Sequence, residues 1–175
     1  RSDHPLNEPG LAQAEEAAGR LAAMGVKIDK VYTSPLKRAV RTAEAIAPGA
    51  ECIIDERLIE MDYGPYEGMD LRAPAPEVMA FFEDFVNVPA PKGMEPLHEV
   101  VERLGRFLED IKEEAETSNI LVSTHAIAMK GALEYLTPES RGSYWSKYIG
   151  NCNIYAAEVR NGTFTVPRCV AGEGE

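Results

Sequence analysis

The sequence predicts an α/β fold: three α/β/α layers, with helices on both faces of a mainly parallel sheet that finishes in an antiparallel edge. Two patterns point there. Short apolar runs at 28–33, 51–54 and 120–122 alternate with stretches that carry helical spacing. After the last of these, two strand-like segments at 153–159 and 163–170 flank Asn161-Gly162, a strong hairpin signal. A length of 175 residues fits one domain over 1–175 with enough interior for a core.

Taken in order, residues 1–10 read as a loop rich in Pro, Asn, Asp and Gly. Helical spacing runs over 11–24, with Leu21 and Ala22 inward and Gly25 as its stop. The strand at 28–33 leads to Ser34-Pro35, read as a helix start with serine capping and proline at the first helical position. That helix continues through Leu36, Val40, Ala43 and Ile46. The strand at 51–54 is followed by an irregular stretch at 55–68 with two glycines and a proline. A short helix at 78–85 sits between two proline-rich segments. Val100, Val101, Leu104, Phe107, Leu108 and Ile111 then trace the clearest amphipathic helix of the chain.

Ile120-Leu121-Val122 has the look of a strand buried on both faces. It passes at Ser123-Thr124 into a helical pattern with Ile127, Met129 and Leu133 along one side. His125 therefore falls where strand becomes helix. In open α/β sheets ligands bind at that carboxyl edge, and the free N–H groups of the helix make it a ready site for an anion. Residues 138–146 read as short helical turns, with Tyr144, Trp145 and Tyr148 as packing rather than a base-stacking platform.

Composition narrows the function. A net charge of −11 argues against nucleic acid and anionic membranes as partners, yet leaves room for a small anionic substrate held by local arginines. Cys52, Cys152 and Cys169 are scattered and odd in number, which points to a reducing, cytoplasmic setting. His4, His98 and His125 have no metal-ligand spacing, and no nucleotide-binding glycine loop appears, so neither metal nor cofactor is expected.

Three residues carry candidate chemistry. Arg38 lies in the first turn of the helix after the 28–33 strand, at a sheet edge matching that of His125. A cation there opposes the helix dipole at a cost of about 0.3–1 kcal/mol unless an anion is near, and arginine can hold a phosphate bidentately. Lys37 beside it reads as a solvated basic face. Glu60 sits among apolar neighbours in an irregular loop, where burial would raise its pKa and let it deliver a proton to a leaving oxygen. Glu56, Asp62 and Glu67 read instead as loop carboxylates satisfied by backbone amides. His98 falls on the solvent side of its helix.

Tyr32-Thr-Ser-Pro-Leu-Lys-Arg38-Ala-Val-Arg-Thr-Ala43, Leu58-Ile-Glu60-x-x-x-Gly64-x-x-Glu67-Gly68 and Ser123-Thr-His125 together resemble the histidine phosphatase superfamily, also called phosphoglycerate mutase-like. The 3–14 segment, Pro91-Lys-Gly93-Met-Glu95 and Asn151-Cys-Asn-Ile resemble further stretches of that family, so the likeness runs the length of the chain. It implies that Arg38 and His125 bind the transferring phosphoryl group, that the Ala126 N–H assists, and that Glu60 is the proton donor and then the base. It also implies a metal-free phosphatase working through a phosphohistidine, in the style of α-ribazole phosphatase. The substrate would be a small phosphorylated metabolite, and a homodimer is compatible with the family.

One departure is large. The family's Arg-His-Gly motif, whose histidine is the nucleophile, has no counterpart in the sequence. The expectation is that this motif and its central strand precede Arg1, because losing that strand would leave buried backbone groups unpaired at on the order of 1–3 kcal/mol each. The short span between Gly68 and Gly93 favours hydrolysis over mutase-type transfer, the second reading. A third is a phosphate-ligand binding module without turnover, should the motif truly be absent.

Overall fold

Three short parallel strands make the sheet, with β1 (Lys30–Thr33) between β2 (Cys52–Ile54) and β3 (Ile120–Ser123). The computed structural model describes residues 1–70 and 72–172. The expected domain span and the 69–94 segment therefore include positions, 71 and 173–175, outside the described residues.

Strand register sets the site. Thr33 pairs with Ser123 at the ends of β1 and β3, and the Ser34 N–H continues the ladder to the Ser123 carbonyl at 2.9 Å. Ser34 and His125 are thus delivered to the same carboxyl edge. Successive side chains of a strand point to opposite faces. On β1, Val31 and Thr33 are buried on one face, and Tyr32 meets the Phe107 ring edge-on at 5.4 Å on the other.

Helices cover both faces. On one side α1 (Glu8–Ala23) packs against α2 (Lys37–Ile46), and α2 lies against β1 and β3. The Asn7 side chain caps α1 by accepting the Gly10 N–H. Its inward face is Gly10, Ala14, Ala17 and Leu21, whereas Ala22, expected inward, is exposed.

On the other side α4 (Leu97–Ala115) packs along α5 (Ala126–Leu136), with α3 (Pro76–Glu83) joining the same core. Leu58, Met61, Val78, Phe81, Val100, Leu104 and Phe107 form its buried centre, at about 25 cal/mol per Å² of apolar surface removed from water. Two glycines allow the close α4–α5 approach. A Cβ on Gly105 would stand 2.4 Å from the Tyr135 ring, and one on Gly131 would stand 2.8 Å from Val100.

The antiparallel part differs from expectation in detail. Each predicted final strand is broken in two, giving β4 (Ile154–Ala156), β5 (Val159–Arg160), β6 (Thr163–Phe164) and β7 (Arg168–Ala171). β5 and β6 form the hairpin over Asn161-Gly162, whose φ values of 51° and 70° suit a two-residue turn that follows the strand twist. β4 pairs with β7 as a separate ladder.

Among the described residues nothing pairs with the second edge of β3. That is why Ile120, Leu121 and Val122, expected to be buried on both faces, are each only half-buried. With helices on both faces of a parallel sheet and antiparallel strands beside it, the architecture is the α/β type that the sequence predicts.

Candidate active site

The site is built where β1 and β3 end. His125 is the N-cap residue of α5, with extended backbone, and its Nε2 lies 2.7 Å from the Ser34 hydroxyl. Ser34 is fully buried and does not cap α2 as the sequence suggests. The helix begins only at Lys37, and the Ser34 Oγ accepts the Leu36 N–H at 3.3 Å within the turn that precedes it. The serine is thereby aimed across the sheet edge at the imidazole.

Arg38 is the second residue of α2 and is half-buried, while its neighbour Lys37 is exposed, as expected. The Arg38 Nη1 donates to the Ser2 carbonyl at 2.8 Å. Two cations in the first turn would oppose the helix dipole, but the Asp3 carboxylate accepts the Lys37 N–H at 2.8 Å and offsets them. That backbone hydrogen bond, together with Lys37 and Arg38, holds the Asp3 carboxyl below its ordinary pKa in spite of partial desolvation.

Glu60 reaches the same place from the loop between β2 and α3. Its carboxylate accepts the N–H groups of Met61 at 2.8 Å, Ile127 at 3.2 Å and Ala128 at 3.0 Å. Two of these are the free amides at the start of α5, so the helix N-terminus expected to await an anion is already occupied by the Glu60 carboxyl group. The Ala126 N–H, the amide picked out by the family resemblance, keeps no protein partner among the described residues, and Ala126 is exposed. The structure therefore leaves one amide of that turn, not three, for an incoming group.

Both titratable groups are displaced from their ordinary ranges. Burial raises the Glu60 pKa, against the pull of its three backbone hydrogen bonds and the Arg103 guanidinium, so the expected direction holds. Burial first, then Arg38 and Arg103, lowers the His125 pKa to about 3. The imidazole is therefore neutral near pH 7, and Arg38 supplies the positive charge beside it.

Sequence reasoning missed three further groups here. Tyr63 meets Phe82 edge-on at 6.0 Å, and its phenol is pushed up to about 12, chiefly by burial and then by the Glu60 and Glu67 carboxylates, against Arg38. Arg103 is buried behind the Glu60 loop. Lys130 is buried in the second turn of α5, donating to the Trp145 carbonyl at 2.9 Å. Asp62 and Glu67 are loop carboxylates on backbone amides, as expected, accepting from Gly64 and Tyr63 respectively. His98 is exposed on α4, and the three cysteines are free and half-buried. Among the described residues no cluster of three or more His, Cys, Asp or Glu is arranged to hold a metal ion, and no helix is long and apolar enough to cross a membrane.

A phosphate-sized anion would find here one guanidinium, one neutral imidazole, one free amide and a half-buried carboxyl group within a single sheet edge. Residues 1–171 match the family described as "Histidine phosphatase superfamily (branch 1)". The chain belongs to the histidine phosphatase superfamily.

Relatives within this superfamily carry two kinds of activity. Phosphoserine phosphatase 1 of Hydrogenobacter thermophilus is 30% identical over 167 residues, covering 91% of this chain and 78% of the relative. A 2,3-bisphosphoglycerate-dependent phosphoglycerate mutase of Brucella melitensis is 36% identical over 151 residues, covering 78% and 73%. The α-ribazole phosphatase of Shigella flexneri superposes with a TM-score of 0.80 at 23% identity, covering 97% of this chain and 86% of that one, a likeness of fold. Family membership accounts for the parallel strands and for the antiparallel edge.

Proposed function

We propose that this histidine phosphatase-family protein hydrolyses small phosphate monoesters through a phosphohistidine. In this reading Arg38 and His125 hold the phosphoryl oxygens with the Ala126 N–H, and Glu60 protonates the leaving alcohol and then deprotonates water. The observation that carries the reading is the placement of Glu60. Its carboxyl group is desolvated against the first turn of α5, two residues from the imidazole that faces Ser34. A raised pKa shifts the carboxyl towards holding the proton that it must give to the leaving oxygen, a role that contributes about 10²–10⁴-fold in rate.

Arg38 supplies the charge stabilisation. A guanidinium fixed before the reaction needs no reorganisation as charge spreads over the equatorial oxygens, which is the usual origin of large electrostatic rate effects. His125, neutral in the free site, donates or accepts according to the tautomer that Ser34 selects. The resemblance requires a nucleophilic histidine within an Arg-His-Gly motif, which residues 1–175 do not contain. The relatives' names offer phosphoserine and phosphoglycerate esters as the first substrates to try, and α-ribazole phosphate as a third.

Full-length protein is assayed with each ester for free phosphate, for isomerised product and for an acid-labile protein-bound phosphate. Free phosphate together with the labile label is the expected outcome. Isomerised phosphoglycerate without free phosphate would replace the hydrolase reading by the mutase one. Ligand binding with neither turnover nor label would leave a binding module. Arg38→Ala and His125→Ala are each expected to lower kcat by roughly 10²-fold or more without unfolding the protein, and near wild-type rates in either would remove it from the site.

A further inference from the structure

We propose that Arg103, on α4, is a positioning residue for Glu60, gripping from behind the loop that presents the carboxylate. The inference rests on the reading of Glu60 as proton donor. Arg103 lies on the inward face of α4 at 9% exposure, a burial that arginine tolerates only when its donors are met. Here they are met by the Glu60 loop. The Nη1 donates to the carbonyls of Arg57 at 2.5 Å and Ile59 at 2.7 Å, the latter being the residue just before the acid.

The other edge of the guanidinium closes the grip on the far side. Nε and Nη2 donate to the two oxygens of Glu95 at 2.7 and 3.2 Å. Glu95 in turn accepts the Asp62 N–H at 3.0 Å, and its own N–H donates to the Asp62 carbonyl at 2.8 Å. Residues 57, 59 and 62 are therefore all tied to one planar fork, directly or through Glu95, and Glu60 stands between them. Its carboxylate then meets the α5 amides of Ile127 and Ala128 on the opposite side. A fork of rigid geometry fixes both flanks of the acid, where a lysine could reach one.

The same guanidinium acts on the acid's charge. Arg103 favours the ionised form of Glu60 and opposes protonation of His125. The other groups that face the carboxylate electrostatically are Tyr63 on its own loop and Lys130 from α5, while Arg1 donates to the Glu60 backbone carbonyl at 2.8 Å. None of these spans both flanks of the acid. Removing the Arg103 cation therefore raises the Glu60 pKa further, while replacing it by lysine keeps the charge and loses the fork.

The test compares Arg103→Lys, Arg103→Gln and Glu95→Gln in the full-length protein, with phosphoserine, an alkyl phosphate whose leaving alkoxide needs the proton, as substrate. Arg103→Lys is expected to lower kcat by about 10–100-fold with KM within about twofold, because a misplaced acid costs rate rather than binding. The alkaline limb of its pH profile stays in place. Arg103→Gln is expected to lose a similar factor and to shift that limb to higher pH. Glu95→Gln, the gentler variant should Arg103→Gln not fold, is expected to lower kcat less. A ¹³C-glutamate NMR titration, with the Glu60 signal assigned by Glu60→Gln, reads the same shift without turnover. Variants with wild-type kcat and an unmoved Glu60 titration, even if less stable, would overturn the proposal. A wild-type protein without turnover would instead remove the phosphatase reading, and the NMR titration would still decide the grip of Arg103 on Glu60.

Discussion

Lowering the pH from 6 to 4 protonates His125 in the unfolded chain while the folded protein keeps it neutral, and the difference is measurable as stability. The folded-state pKa is lowered to about 3 from an ordinary 6.5, first by burial and then by Arg38 and Arg103. Between those values the unfolded state binds one more proton than the native state, so stability rises with pH at up to about 1.4 kcal/mol per unit. Integrated from pH 4 to pH 6, the loss on acidification comes to about 2.5 kcal/mol, and partial solvent access at the half-buried ring brings the expectation to about 1–2 kcal/mol. Glu60 works in the opposite sense, since its folded pKa is raised: its contribution is present at low pH and is lost as pH rises from the unfolded carboxylate range through the folded value. Urea unfolding of wild type, His125→Gln and Glu60→Gln at pH 4, 5 and 6 separates the two. The His125→Gln curve should be flatter than wild type by the stated amount, and the Glu60→Gln curve steeper. Parallel curves for wild type and His125→Gln, or an imidazole signal titrating near pH 6.5 in the folded protein, would refute the burial argument.

Three further outcomes follow from packing and hydrogen bonding. Gly105→Ala places a methyl group 2.4 Å from the Tyr135 ring and should cost about 1–3 kcal/mol in urea unfolding, with α4 and α5 pushed apart. Ser34→Ala strips the Leu36 N–H and the His125 Nε2 of a buried partner together, and about 1–2 kcal/mol should be lost in the same assay. Glu134 accepts from the Ser140 hydroxyl, the Gly142 N–H and the Tyr144 N–H, at 2.5, 3.0 and 2.7 Å. Glu134→Ala should therefore speed amide hydrogen exchange at Gly142 and Tyr144 by at least about tenfold, for a loss on the order of 1.4 kcal/mol or more.

Local pattern carried what local forces decide. The apolar spacing of α4 from Val100 to Ile111 is buried as read except at the half-buried Val101, and Asn161-Gly162 turns the hairpin because both residues take positive φ. His125 and Arg38 were legible because the end of a parallel strand is a place that sequence can locate. Contacts made across the fold left weaker traces. Glu60 reaches amides 67 and 68 residues away, which no spacing announces. Arg103 did leave a signal: it falls three residues after Val100 and four before Phe107, a charge on the inward stripe of an amphipathic helix. Lys130 falls likewise between Ile127 and Leu133 on α5. A charge that breaks an apolar stripe must be satisfied by something outside its own helix, and for Arg103 that something is the loop of the acid.

The free site and the occupied site differ in a way that favours the chemistry. In the free protein the amides of Ile127 and Ala128 are taken by Glu60, so the protein's own carboxylate occupies the helix end where a phosphate would otherwise sit. On the proposed reading the substrate phosphoryl group lies beside it, on Arg38, His125 and the Ala126 N–H. A dianion brought that close penalises the ionised form of Glu60 and favours a proton on His125, so both pKa values move up on binding. The first shift favours a proton on the acid, available to the leaving oxygen. The second moves the imidazole from its depressed value of about 3 back towards the neutral range, where it becomes a stronger donor to the phosphoryl oxygens. Once the alcohol has left and Glu60 is ionised, the three N–H groups that hold the carboxylate stabilise it as the base for water. On the proposed reading, burial and backbone hydrogen bonding, which pull the acid in opposite directions in the resting site, serve the two half-reactions in turn.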